Sequence, residues 1–300
     1  MNNVQIVLPT YNGEKYLAFL MDSLAAQTYK DFTLITYDDG SSDRSVQIVD
    51  SYKNSIQIVR IDNESNQNRG VIESFVHLLS NCDSENVMLC DQDDIWDCNK
   101  VAFSMEKLNK MRGDYGDIPL LVFTDLEMID EKGNKICDSF LRFHSLNPNN
   151  LNDPYYLCFK NVAPGCSYIF NKKLIKESFP VGDKAVMHDW WMVIAAGLKG
   201  KISFLDEKLI KYRVHSSNTM GPVADNPLPV ILSILSMFSL KKVNKIIMSQ
   251  HKNTDQGRQI FRKFDRRFFV TLYYLKLFLG RYVFPTLAIV NRWCKIHSWR

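Results

Sequence analysis

The first hundred residues alternate short β-branched, apolar runs with stretches of helical periodicity, and few folds accommodate that pattern. Val4 to Leu8, Phe32 to Tyr37, Ile56 to Ile61 and Asn86 to Cys90 are the strand-like runs. Between them, Leu17, Leu20, Met21 and Leu24 recur at the spacing of one helix face. The same holds for Val46, Val49 and Tyr52, and for Val71, Phe75, Leu78 and Leu79. Strands alternating with helices of this length give βαβ units and a parallel sheet. Such sheets bind ligands outside the carboxyl ends of their strands. Three of those ends carry polar loops here: Pro9 to Gly13, Asp38 to Asp43, and Asp91 to Asp94.

Further on, Val101, Met105, Leu108 and Met111 mark a helix, and Leu120 to Thr124 a fifth strand ending at Asp125. Asp130 to Asn134 reads as a hairpin turn. Residues 141–160 read as a loop, placed to act as a flap. Cys166 to Phe170 follows the Pro164-Gly165 turn as a strand. Trp191, Ile194, Ala195 and Leu198 recur at helical spacing, with His188 and Asp189 in that helix's first turn. A strand from Ile202 to Leu205 precedes Tyr212-Arg213-Val214-His215.

The acidic stretch Asp91-Gln92-Asp93-Asp94 follows a buried strand directly. Neighbouring carboxylates disfavour one another's ionisation. A divalent cation resolves that conflict, and hard oxygen ligands with open positions suit Mg²⁺ or Mn²⁺ holding a phosphate. The plainer reading is an acidic turn with Asp94 capping the next helix. Other nucleotide and hydrolase signatures are missing: no GxGxxG follows the first strand, and there is no GxxxxGK[ST], GxSxG or HExxH. A dehydrogenase, a P-loop NTPase and an α/β-hydrolase are thereby disfavoured.

Charge divides the chain. Residues 241–300 hold fourteen Lys and Arg against Asp255 and Asp265, a net of +12, while the whole chain is only +4. The first 240 residues therefore carry −8. An acidic body with a basic tail points the tail at an anionic surface. The apolar run Leu228 to Leu240 is too short to span a bilayer. Phe268 to Val290 is longer but contains Lys276, Arg281 and Pro285, and follows Arg262, Lys263, Arg266 and Arg267. Interfacial helices on an anionic leaflet are expected in preference to a true span. A plain helical cap on the body would explain the apolar residues but not the charge. Nucleic acid is a poorer partner, since no binding module accompanies the charge. Seven cysteines with no CxxC pair indicate reduced thiols, and Met1-Asn2-Asn3 leads straight into a strand with no signal peptide. A cytoplasmic location, peripheral on the inner face of the plasma membrane, is expected.

Taken together, Leu8-Pro9-Thr10-Tyr11-Asn12-Gly13, Asp38-Asp39-Gly40-Ser41-Ser42-Asp43 and Asp91-Gln92-Asp93-Asp94-Ile95-Trp96 resemble the ordered motifs of family 2 glycosyltransferases, in particular their bacterial rhamnosyltransferase-like branch. Val162 to Cys166, His188-Asp189-Trp190-Trp191 and Tyr212 to His215 continue the series. The resemblance implies an α/β fold of the GT-A type: a mostly parallel, Rossmann-like sheet flanked by helices over residues 1–220. Residues 221–300 would form a basic, apolar helical tail. It also implies an inverting enzyme that moves a sugar, with rhamnose suggested by the branch, from a dTDP- or UDP-linked donor to a lipid-linked saccharide in bacterial surface polysaccharide synthesis.

Residue by residue, the resemblance implies Asp93 as ligand to Mn²⁺ or Mg²⁺, with His215 completing the metal or diphosphate site. Asp91 would hold the donor ribose or act behind the metal, with Asp94 structural. Pro9, Thr10 and Tyr11 would frame the nucleobase, and Asp39 would accept a hydrogen bond from it. Asp189 would be the base, and His188, Trp190 and Trp191 acceptor or sugar contacts. Plainer readings stand beside these: Asp39-Gly40 as a turn, Asp189 as a helix cap, His215 as a solvated loop residue. Arg69 is placed to touch the diphosphate but is not assigned. Two other functions compete. One is a non-catalytic nucleotide-sugar-binding or scaffold protein of the same fold. The other is a nucleotidyltransferase, whose basic Gly-rich loop after the first strand is absent.

Overall fold

The computed structural model describes residues 3–63, 68–151, 156–157, 160–181 and 187–215. The domain boundary at 220 and the basic tail lie outside these residues. The chain begins with three βα steps and a fourth strand: β1 (Val4–Thr10), α1 (Leu17–Ala25), β2 (Phe32–Asp38), α2 (Ser45–Ser51), β3 (Ile58–Ile61), α3 (Val71–Ser80) and β4 (Asn86–Leu89). It continues through β5 (Ile95–Trp96), α4 (Lys100–Tyr115), β6 (Leu120–Ile129), β7 (Lys135–Cys137) and α5 (Phe140–Phe143). The last described elements are β8 (Tyr168–Asn171), α6 (Lys172–Ser178), α7 (His188–Lys199) and β9 (Lys201–Arg213).

The described strands form one sheet in the order β3-β2-β1-β4-β8-β6-β9-β5, with β7 on β6. β3, β2, β1 and β4 are mutually parallel, β9 is parallel to β6, and β8 runs antiparallel between β4 and β6. The sheet is thus mostly parallel, as expected. Register does the positioning: Thr10 pairs with Asp38, and Val7 with Leu89, so three loops leave the same edge side by side. β1 and β4 are buried along almost their whole length, as strands covered on both faces must be. One face packs Ile6, Leu8 and Met88 against Leu17, Leu20, Met21, Leu24, Val101, Met105 and Leu108. α3 covers β1 and β2 on the sheet and also meets α7.

Several sequence boundaries move. β3 starts at Ile58, because Ile56 belongs to the hydrogen-bonded turn that ends α2. β6 runs on past Asp125 to Ile129 and turns at Asp130 into β7, the hairpin expected there. β9 is one strand of thirteen residues rather than a strand followed by a loop; register shifts near Asp125 carry it past its polar middle. Residues 165–167 form a 3₁₀ turn, and β8 starts only at Tyr168. The 141–160 stretch is not all loop: α5 lies at its start, with Ser139 Oγ accepting the Arg142 N–H, and a 3₁₀ turn covers Pro148–Asn150. The five described cysteines outside these changes and within them, Cys82, Cys90, Cys98, Cys137 and Cys166, are free thiols.

Candidate active site

Two strand-end loops are stitched together by the protein's own hydrogen bonds. The Asn12 N–H donates to Ser41 Oγ at 2.9 Å, and Asn12 Oδ1 accepts the Ser42 N–H at 2.9 Å. Gly13 N–H donates to Ser45 Oγ at 2.8 Å, and Glu14 N–H to Asp43 at 3.0 Å. Thr10 Oγ1 donates to Asp38 at 2.8 Å, as their register requires. The third loop joins through Gln92, whose amide brackets Tyr11: its Oε1 accepts the Tyr11 N–H and its Nε2 donates to the Tyr11 carbonyl, each at 3.0 Å. Tyr11 itself remains 47% exposed, so a ring face is presented at this rim.

Asp39 is buried, and its two oxygens accept the backbone N–H groups of Arg69 at 2.7 Å and Gly70 at 2.9 Å. The carboxylate therefore fixes the approach to α3, and each oxygen keeps a second lone pair for another donor. Gly70, at φ +83°, makes the turn that brings both amides to it. The Arg69 guanidinium lies 5.7 Å over the Tyr37 ring.

The acidic loop splits into an outward and an inward part. Asp93 Oδ2 lies 2.8 Å from His215 Nε2, both side chains being mostly buried, and the His215 ring rests on Tyr16 at 5.0 Å. Asp94 is fully buried: one oxygen accepts the Arg213 N–H at 3.2 Å and the other has no partner among the described residues. It is not a cap for α4, whose N-cap is Asn99. Burial, then the charges of Asp93 and Asp91, push the Asp94 carboxyl well up. Asp91 is raised to about 7, by burial first and then by Asp93 and Asp189, although part of its side chain still reaches solvent.

Asp189 closes the opposite side. Its Oδ2 accepts the Gly165 N–H and the Asn161 amide, both at 3.0 Å, and its Oδ1 the Trp190 N–H at 2.6 Å. Met187, not Asp189, is the N-cap of α7. Contact with Gly165 is close because that residue lacks a side chain; a Cβ there would sit 3.0 Å from Asp189 Cβ. The neighbouring aromatic residues lie elsewhere. His188 is buried and stacked on Phe75 at 4.1 Å, with neither nitrogen hydrogen-bonded among the described residues, and burial pulls it down to about 4. Trp190 is buried with Nε1 donating to the Leu157 carbonyl at 2.7 Å, and Trp191 Nε1 donates to the Ser178 carbonyl at 2.6 Å.

The sequence did not single out four residues that shape this site. Arg213 donates to the carbonyls of Asp93 at 3.0 Å, Asp130 at 3.2 Å and Glu131 at 3.3 Å, and its guanidinium faces Tyr16 at 4.6 Å. Gln92 and Asn161 orient the rim and Asp189, respectively. Lys100 is fully buried, its Nζ 4.1 Å over the Trp96 ring without a hydrogen bond among the described residues, and burial pulls it down to about 8. Gln92 and Arg213 lie within quoted motifs but no sequence signal assigned them a role, and a polar residue beside a motif, like Asn161, or at a helix start, like Lys100, carries no periodic signal.

The residues present suit a hard divalent cation. The ligand atoms of Asp91, Asp94 and Cys166 lie within 4.8 Å of one another. Burial and the adjacent acids push the Cys166 thiol well up, so it stays protonated and is a poor ligand. Asp94 faces inward. Asp93 with its partner His215, and Asp91 two positions before it, offer oxygen donors and one imidazole nitrogen, donor types that suit Mn²⁺ or Mg²⁺.

A parallel βα sheet that gathers an acidic loop at its carboxyl edge, with antiparallel strands completing the far half, is the GT-A architecture of nucleotide-diphospho-sugar transferases. S. aureus TarS (residues 1–349, with UDP-GlcNAc) is similar to it at TM-score 0.61 and 20% identity, over 89% of this chain and 73% of that one. Residues 5–117 match the model for glycosyl transferase family 2. An uncharacterized glycosyltransferase of Rickettsia conorii is 29% identical over 74% of this chain and 36% of its own. The chain thus spans about a third of that relative's length. The dTDP-rhamnosyl transferase RfbG of Shigella flexneri is 25% identical over 71% of this chain and 73% of its own.

Proposed function

We propose that the protein is an inverting glycosyltransferase that moves a sugar from a nucleoside diphosphate donor to a hydroxyl of a saccharide acceptor. One observation carries the reading. The Asp93–His215 pair, Asp91 and Asp189 come from distant parts of the chain and meet beside a prebuilt rim of strand-end loops. Thr10, Tyr11 and Asp39 take the nucleoside: Tyr11 offers a face to the base, Pro9 shapes the turn, and Asp39 accepts from the base N–H. Asp91 takes the ribose hydroxyls, which its raised protonation equilibrium suits as a donor-acceptor pair.

Asp93 and His215 would hold the metal, which when bound would supply Lewis-acid stabilisation of the departing diphosphate. Asp189 accepts the acceptor O–H proton as the new C–O bond forms at the anomeric carbon. The bond from that carbon to the diphosphate oxygen breaks, and its electron pair leaves with the diphosphate. The three N–H groups that Asp189 accepts fix its direction.

The Shigella relative's name supports rhamnose as the sugar, and the basic tail supports a lipid-linked acceptor at an anionic membrane surface. No helix among the described residues is long and apolar enough to cross a membrane. The test is sugar transfer with Mn²⁺ across a panel of dTDP-, UDP- and GDP-sugars. Asp93→Asn and Asp189→Asn should each abolish turnover while retaining the folded circular dichroism spectrum; full turnover in either removes that residue from its role. Deleting residues 241–300 should move the protein from membrane to soluble fractions.

A further inference from the structure

One side chain of the acidic loop reaches out of it to the loop that follows β1. Gln92 Oε1 accepts the Tyr11 N–H and Gln92 Nε2 donates to the Tyr11 carbonyl, each at 3.0 Å. A backbone N–H only donates and a carbonyl only accepts, so these partners fix which end of the amide faces which. Among side chains, only Gln and Asn hold an acceptor and a donor in one planar fork, and Asn is a methylene shorter. The seat is open for that fork at Gly13, where a Cβ would lie 2.7 Å from Gln92 Cδ. Gly13 does not adopt a positive φ, so space rather than backbone freedom calls for glycine. Between Tyr11 and Gly13, Asn12 does adopt a positive φ, 45°, a conformation that persists where its surroundings hold it. Tyr11 is thus gripped by both of its backbone polar groups while its ring stays 47% exposed.

We propose that Gln92 is a positioning residue of the donor site, a two-pronged latch that fixes the Tyr11 ring relative to the acidic loop and presents it ready-set to a nucleobase. This rests on the reading of Tyr11 as a face for the base. The latch joins the two ends of a nucleoside diphosphate site: Gln92 stands between Asp91 and Asp93, and Tyr11 stands at the nucleoside rim. A ligand that touches both ends needs them at a fixed separation, and a loose rim would have to be ordered at the moment of binding. Residues 12–14 are held to the second strand-end loop, and Gln92 supplies the tie from the third. One amide makes both bonds, so its side-chain freedom is given up once for two contacts. Each such bond is worth a few-fold in an equilibrium, and losing the pair should cost about tenfold.

The test is a double-variant cycle on the full chain, read by calorimetric titration of UDP in MnCl₂ well below the melting temperature. Gln92→Met removes both bonds and keeps the length of the stem. Tyr11→Ala removes the ring and keeps the backbone that the latch grips. Gln92→Met should weaken UDP binding about tenfold. The double variant should bind UDP no worse than Tyr11→Ala alone, because a latch without a ring has nothing to position. Losses that multiply would show Gln92 acting by another route and overturn the proposal, as would unchanged UDP affinity in Gln92→Met. A merely structural role would lower the melting temperature and leave that affinity in place. Gly13→Ala reaches the latch from the other side: its Cβ meets the flexible end of the amide, and it should reproduce the loss. Should Gln92→Met fail to fold, Gly13→Ala paired with Tyr11→Ala decides by the same criterion. Failure of UDP to bind the unaltered chain would overturn the nucleotide reading, and amide hydrogen exchange at Tyr11 without ligand would then decide the latch. Exchange about tenfold faster in Gln92→Met would support it, and an unchanged rate would refute it.

Discussion

Gly165→Ala is the most incisive perturbation of the site, because it adds one carbon and removes no hydrogen-bonding group. Gly165 does not adopt a positive φ, so alanine is tolerated by the backbone and only space is contested. The new Cβ would lie 3.0 Å from Asp189 Cβ and 3.3 Å from Leu89 Cδ1. Carbon atoms rest at about 3.5–4.0 Å, so roughly half an ångström has to be found. Leu89 is fixed in β4, and the movable partner is Asp189, whose Oδ2 is bonded to the Gly165 N–H. A displacement of about 1 Å in a reacting group costs on the order of 10²-fold, so about tenfold in kcat is expected. The overpacking itself costs about 1–3 kcal/mol, a melting shift of roughly 2–10 °C for a body of this size. Initial rates at varied donor should show the donor KM within about twofold of the unaltered enzyme. The comparison is Asn161→Ala, which removes one donor to Asp189 without crowding it. An unchanged kcat in Gly165→Ala would refute the role given to Asp189 and the tightness of its seat.

Three further outcomes follow from other contacts. His188→Phe should flatten the acid side of the stability curve. The native imidazole titrates near 4 and the unfolded one near 6.5, so stability is full above 6.5 and falls as pH drops toward 4. The unaltered chain should lose on the order of 1 kcal/mol between pH 7.5 and 5.5 through this group, readable in urea melts; equal slopes would show that His188 is not buried neutral. Asp39→Asn leaves one of the Arg69 and Gly70 amides without its acceptor, at about 1–3 kcal/mol, and should weaken UDP binding in calorimetry; unchanged UDP affinity would free Asp39 of a nucleotide role. Gly200→Ala would drive a Cβ to 1.9 Å from the Pro119 carbonyl oxygen, where no side chain can yield, and should destabilise the fold by about 3 kcal/mol without touching the site.

The βα half of the molecule was legible because burial on both strand faces and one helix face leaves a periodic trace, from Val4 through Leu89. The far half left weaker traces. β5 is two residues long, and it forms because its backbone finds β9 and the Trp96 N–H finds Ser23 Oγ, partners remote in sequence. The polar middle of β9, Asp206 to Lys208, breaks the apolar alternation and hides one strand as two segments. At the site, Asp91, Asp93, Asp189 and His215 stood out by residue type and order. Lys100 did not, because a lysine in a helix's first turn normally points to water. Only the burial of that turn against Trp96 reveals its charge as an internal one. Asp39 was visible as a turn residue, but the two amides it holds lie 30 and 31 positions away.

The seam between the first two strand-end loops has a thermodynamic meaning. Its bonds join Thr10, Asn12, Gly13 and Glu14 to residues about thirty positions onward, and every one of them is made between the protein's own groups. The entropy lost in shaping that rim is therefore charged to folding and not to ligand capture. Association on this side of the cleft should follow single-exponential kinetics with a rate proportional to donor concentration, since no slow rearrangement of these loops has to precede it.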